Sequence, residues 1–242
     1  MKYYHQTKSY LVAFALIFLT LNGFSQDERN FHFGLQFSPN IGWIKADSKN
    51  FEAGKKKIGF SYGLIGDFKL GNSASLNIGF AITSINHQMV IDSLRTKAPL
   101  NSTNYEVEYN YKVKYMQLPF TLKLRTNEIG YTTYYGEFGF APSIVYRVRA
   151  DVNPDIFNDP EQSNDRDVND EGDDFASSYY NEDNIASLRA SLIVGAGIEY
   201  KLAGNTSIIA GVRFDNGLIN VLKAEDTKGF NNYLSLNLGV MF

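Results

Sequence analysis

From Phe31 to the end of the chain, apolar and polar side chains alternate one by one, in stretches that recur eight times. A period of two marks a strand with one apolar and one polar face, whereas a helix repeats every 3.6 residues. The first stretch sets Phe31, Phe33, Leu35, Phe37, Ile41 and Trp43 against His32, Gly34, Gln36, Ser38, Asn40 and Gly42. The next two carry their apolar faces from Ile58 to Leu70 and from Leu76 to Ile82, and the fourth runs from Met116 to Leu124. The fifth runs from Tyr134 to Tyr146, the sixth from Leu188 to Tyr200, the seventh from Ile208 to Phe214 and the last from Leu234 to Phe242.

The connections alternate in length. Tight turns at Gly71-Asn72, Asn127 to Gly130, and Ala203-Gly204-Asn205 join stretches two and three, four and five, and six and seven. Lys45 to Lys57, Asp92 to Asn104, Ala150 to Asn184 and Gly217 to Gly229 are long. Short turns at one rim and long loops at the other, with an even number of strands, define an eight-stranded antiparallel transmembrane β-barrel. Its short turns would be periplasmic and its long loops extracellular.

A soluble lipocalin-like barrel alternates in the same way, and geometry separates the two. Eight strands enclose an interior just wide enough for side chains or one small ligand. More than thirty Phe, Leu, Ile, Val and Tyr residues cannot fit there, so they must point outward. The opposite face is built from Gly, Ser, Asn and Thr with a few charges: Asp67, Lys69, Lys123, Glu137, Arg189, Glu199 and Arg213. Six of these, Asp67, Lys123, Glu137, Arg189, Glu199 and Arg213, are expected to pair inside the lumen, since buried charges need partners. Above Met116 the pattern inverts: tyrosines from Tyr105 to Tyr115 alternate with Glu106, Glu108, Lys112 and Lys114. A bulge would explain this. A strand kept in register beyond the bilayer, with tyrosines inside and charges in water, explains it more simply.

The first 25 residues stand apart from the fold. Lys2 and Lys8, an apolar run from Leu11 to Leu21 and small residues at Gly23 and Ser25 read as a cleaved signal peptide, residues 1–25. Eleven residues are too few for a membrane helix, which needs roughly 20. The barrel domain is then 26–242, with a net charge of −5. The absence of Cys removes disulfides, Cys-ligated zinc, iron–sulfur clusters and thiol nucleophiles. The acidic balance removes a nucleic-acid partner.

Several stretches resemble the PorT-like outer-membrane β-barrel family, found mainly in one Gram-negative phylum. They are VKYMQLPFTLKLR at Val113 to Arg125, IVGAGIEYKL at Ile193 to Leu202, VRFDNGLINVL at Val212 to Leu222, and the terminal LSLNLGVMF. The resemblance implies a porin-like barrel, with Phe242 as the signal read by the barrel-assembly machinery during biogenesis. That family is named for a member tied to protein export, and fold likeness does not by itself transfer this role.

The extracellular loop 151–183 holds twelve acids and one base. Its composition is that of a solvated surface loop. Asp165, Asp167, Asp170 and Asp173 are its candidate calcium ligands. As an EF-hand the loop departs at both diagnostic places, with Asp170 for Gly and Ala176 for Glu. His87, with Ser84 and Asp92 nearby, is the one hydrolase-like trio, in a context without a nucleophile elbow. The expectation is therefore a non-enzymatic outer-membrane protein with no cofactor. It would sit in outer-membrane lipid and bind a protein partner through its loops. The alternatives are a small-solute porin-like channel and an accessory component of a secretion or motility machine.

Overall fold

The computed structural model describes residues 30–47, 52–92, 106–153, 185–223 and 228–242. The predicted signal peptide, the calcium candidates Asp165, Asp167, Asp170 and Asp173, and nearly all of the acidic loop lie outside them. The chain divides into Met1–Phe31, of which only Asn30 and Phe31 are described, and His32–Phe242, which is the barrel.

Among the described residues there are nine strands: β1 Phe31–Ala46, β2 Glu52–Lys69, β3 Ala74–Asp92, β4 Glu106–Gln117, β5 Phe120–Arg125, β6 Thr132–Asn153, β7 Leu188–Ala203, β8 Thr206–Gly217 and β9 Gly229–Met241. Every pair of neighbours whose register is defined runs antiparallel, and β9 pairs with β1 to close the ring. β4 and β5 both lie between β3 and β6, so together they are one strand of an eight-strand barrel, interrupted at Leu118–Pro119. Proline has no N–H to give a ladder. The ladder continues across the gap through Gly79 N–H to the Pro119 carbonyl (2.9 Å) and Leu118 N–H to the Pro142 carbonyl (3.0 Å).

The turns follow from their residues. Gly130 and Gly204 adopt φ of 68° and 58°, which side chains tolerate poorly. They close the β5–β6 and β7–β8 connections at one rim, beside the β2–β3 turn at residues 70–73. The first long connection is shorter than its sequence suggests. Lys45 and Ala46 pair with Phe230 and Gly229, and Glu52 pairs with Val90, so strand continues to 46 and resumes at 52.

Large apolar side chains cover the outside, from Phe33 and Leu35 on β1 through Val194 on β7 to Leu236 on β9. So broad an apolar surface demands apolar surroundings. Among the described residues no helix is long and apolar enough to cross a membrane. The interior has two layers. From the short-turn rim to mid-barrel it is mostly polar, with Ser61, Asn77, Thr83, Gln117, Thr121, Ser191 and Asn237 buried beside a small apolar cluster of Tyr135, Ile209 and Met241. Towards the long-loop rim Ile44, Ile85, Met89, Tyr111, Val113, Tyr115, Val148, Ile185, Val221, Leu222 and Tyr233 pack into one apolar cluster. At several inward glycines a methyl group has no room. A Cβ on Gly197 or Gly211 would lie 2.6 Å from the Tyr135 hydroxyl, which covers both from the neighbouring strand β6.

Strands β3 and β6, of 19 and 22 residues, outrun the 9 to 11 that a bilayer requires. On β4 the alternation stays in register: Tyr111, Val113 and Tyr115 are buried, Lys112 is exposed and Lys114 half-buried. The bulge is instead on β6, where Tyr115 faces Val145 and Lys114 faces Arg147, leaving Tyr146 as the extra residue.

Candidate functional site

The lumen holds the chemistry. Asp67, Lys123, Glu137 and Arg189 are buried on its inner face, and Glu199 and Arg213 lie nearly so. Two further charges join them, Arg125 and Asp215. Each lies two residues beyond an expected inward charge, Lys123 and Arg213, so parity alone places it inside. Strand length was the missing information: β5 continues past Leu124, and β8 past Phe214.

The eight charges form three groups. Near the short-turn rim Lys123 Nζ donates to Glu199 Oε1 (2.6 Å) and stands 3.8 Å from Asp67. Arg125 bridges the same two acids, donating from Nε to Glu199 Oε2 (3.0 Å) and from Nη2 to Asp67. The Lys123 ammonium also sits 4.4 Å from the centre of the Tyr135 ring. One step higher, Arg213 grips Glu137 with two parallel bonds, Nε to Oε1 (2.9 Å) and Nη2 to Oε2 (3.0 Å). This two-pronged geometry is the strongest pairing a guanidinium makes.

At mid-barrel Arg189, 1% exposed, pairs with the fully buried Asp215. Asp215 Oδ2 also accepts from Ser191 Oγ (3.0 Å) and Gln117 Nε2 (3.0 Å). Gln117 Oε1 accepts from Thr83 (2.9 Å) and Tyr233 (3.1 Å). The Arg189 guanidinium lies 5.7 Å from both the Tyr115 and Tyr233 rings. Pairing among the six expected charges would give Arg189 one of Glu137, Glu199 or Asp67; its partner is Asp215, because β7 and β8 are adjacent and their inward residues meet.

Four acids balance four bases, so these charges give the lumen no net field of one sign. Two cavities along it measure about 20 Å³ each, room for about one water apiece. A larger recess of about 360 Å³ opens at the short-turn rim, lined by His32, Lys69, Arg125, Glu199 and Lys201.

The hydrolase-like trio does not assemble. His87 is fully buried in the apolar cap, stacked on Tyr111 at 5.3 Å, and neither ring nitrogen has a hydrogen-bond partner. Ser84 Oγ donates to Asn86 Oδ1 (3.0 Å). This part of β3 stands above the outer apolar band, which on that strand ends at Ile82. Burial there pushes the His87 pKa down to about 3. Among the described residues no three His, Asp or Glu side chains are grouped to hold a metal. Trp43 lies on the outer face with Lys56 5.2 Å above its ring, and Phe242 packs 5.5 Å from Phe33.

A family model described as the outer membrane protein beta-barrel domain matches residues 24–223. No curated protein matches the chain. Solved structures with a similar trace include OprG from Pseudomonas aeruginosa, at 13% identity over 88% of this chain and 96% of that one, with a TM-score of 0.47. Neisserial surface protein A is similar at 13% identity over 86% and 95%, with a TM-score of 0.41. Ail, the attachment invasion locus protein of Yersinia pestis, is similar at 17% identity over 88% and 99%, with a TM-score of 0.39.

Proposed function

The chain belongs to the outer membrane protein β-barrel domain family, and from that premise we propose that it is a non-enzymatic, membrane-embedded anchor whose long extracellular loops bind a partner. The observation that carries this reading is the closed lumen. Ions crossing it would have to separate Arg189 from Asp215 and Arg213 from Glu137, then pass a cap of buried Ile, Val, Met and Tyr side chains. Breaking buried pairs costs several kcal/mol each, on the order of 3–5. A barrel so filled spends its interior on holding its shape and leaves recognition to its rim.

Single-channel recording in planar bilayers tests this. The expected trace is flat; sustained openings of uniform size would establish the small-solute channel instead. The PorT-like resemblance of Val113 to Arg125 supports a second reading, an accessory subunit of an export or motility machine. Purification of the full chain in mild detergent, followed by mass spectrometry of what comes with it, decides between them. A stoichiometric complex with export components favours the machine; a barrel that elutes alone favours the autonomous anchor.

A further inference from the structure

Where the strands end at the short turns, parity puts a second layer of charge around the mouth of the lumen. Lys69 on β2, Arg125 on β5 and Lys201 on β7 each stand two residues beyond an inward charge, at Asp67, Lys123 and Glu199. The deeper layer mixes signs, whereas the outer one consists of three cations. Arg125 turns onto Asp67 and Glu199. Lys69 and Lys201 stay exposed. Glu128 stands 3.9 Å from Lys201, with both side chains about half exposed. A contact so long and so wet contributes little. Among the described residues at this mouth, Lys69, Lys123, Arg125 and Lys201 face Asp67, Glu128 and Glu199, an excess of one positive charge.

These groups surround the recess of about 360 Å³, a size at which barrel mouths hold small ligands. Three short turns each add an amide to its lining, at Asn72, Asn127 and Asn205, and Ser207 adds a hydroxyl. Met241 is the one large apolar side chain that lines it, so nothing there receives a bulky apolar group. At the floor Asp67, 2% exposed, has its Oδ1 without a donor. A buried carboxylate oxygen is costly to leave in that state. The complementary ligand therefore brings carboxylates to Lys69 and Lys201, an N–H donor towards Asp67, and small side chains.

The short turns face the periplasm, and the stem peptides of the cell wall present those groups on that side: free carboxylates, an ammonium and alanine ends. A protein's carboxyl end carries a side chain of any kind, for which this recess has no pocket. We propose that the recess binds the carboxylate end of a cell-wall stem peptide, with Lys69 and Lys201 as its carboxylate partners and the Arg125–Asp67 pair as its floor. Charge-assisted bonds of this kind are the stronger ones. The site depends on the short turns facing the periplasm; it is independent of any partner of the long loops and of whether the lumen conducts.

The test is isothermal titration calorimetry on the full chain in detergent, with the soluble tetrapeptide L-Ala-γ-D-Glu-meso-diaminopimelate-D-Ala and the same peptide with its carboxylates amidated. The acid form is expected to bind at least about ten times more tightly than the amide. The double variant Lys69→Gln/Lys201→Gln, at two exposed positions, should lose about tenfold, and Lys112→Gln near the opposite rim should lose nothing. Equal binding of acid and amide by the unaltered protein overturns the proposal, as does unchanged binding by the double variant. Acetate that competes at equal concentration would mean that the mouth holds any small anion, and also overturns it. A peptide ending in Leu-Phe that binds as tightly as the tetrapeptide would assign the recess to a protein's carboxyl end instead. Absence of binding overturns it too. A conducting lumen would sink the anchor reading and leave the discrimination between acid and amide standing.

Discussion

Arg189 carries a full charge at a point that water hardly reaches, and it is tolerable only because Asp215, Ser191, the Asn231 carbonyl and two tyrosine rings surround it. Substituting Arg189→Met removes the cation and strands Asp215, so the barrel should lose roughly 3–5 kcal/mol in urea titrations of vesicle-folded protein. Adding Asp215→Leu should restore part of that loss, because two apolar side chains need no partner there. His87 is the opposite case, a polar ring buried without one. The folded chain keeps it neutral down to about pH 3 while the unfolded chain takes up a proton near 6.5. Its contribution is therefore intact above pH 6.5 and falls as the pH drops towards 3. His87→Leu should flatten this part of the stability–pH curve relative to the parent, as measured by thermal unfolding between pH 7 and 4; curves of equal slope would count against the buried neutral ring.

Each strand works as a two-faced ribbon, and β7 shows the rule plainly: Arg189, Ser191, Ile193, Gly195, Gly197 and Glu199 line the inside while Leu192, Val194, Ile198 and Tyr200 cover the outside. Position along the strand then sets the cost of a charge on the outer face. Val194→Arg, near the middle of the belt, should lower folding stability in lipid vesicles by about 2–4 kcal/mol, and Leu202→Arg, at the rim, by about 0–1. Equal effects at the two sites would show that the belt is not matched to a bilayer. The interrupted β4–β5 strand obeys the same rule, since Pro119 takes one N–H out of the ladder without shifting parity: Gln117 and Thr121 are both inside.

The whole molecule inverts a soluble protein below the rim and resembles one above it. In the belt the oily side is outward and the centre polar; towards the long loops the wall is charged outside, at Lys45, Lys112, Arg147 and Arg149, and apolar within. The full chain should therefore stay monodisperse only with detergent or lipid, as read by light scattering on dilution below the critical micelle concentration. A clear monodisperse solution in plain buffer would contradict the outward-facing belt. The cap should give slow amide exchange in Val113 and Ile85 even though both lie above the bilayer. Rapid exchange there would mean that the upper wall opens to water.

Alternation, turn residues and loop lengths determined the barrel, its eight strands and the outward direction of the apolar face, because a strand's period and an eight-strand interior leave one arrangement. They also placed Asp67, Lys123, Glu137, Arg189, Glu199 and Arg213 on the inner face by parity. Which charges meet was decided only in three dimensions. Arg189 finds Asp215 on the next strand, and Arg125 reaches both Asp67 and Glu199 across the lumen. Register between strands is set by every pair along the ladder at once, and no single stretch of sequence contains it. The same holds for the apolar cap and the outward cations, which depend on a one-residue bulge at Tyr146 that turns Val148 inward and Arg147 out.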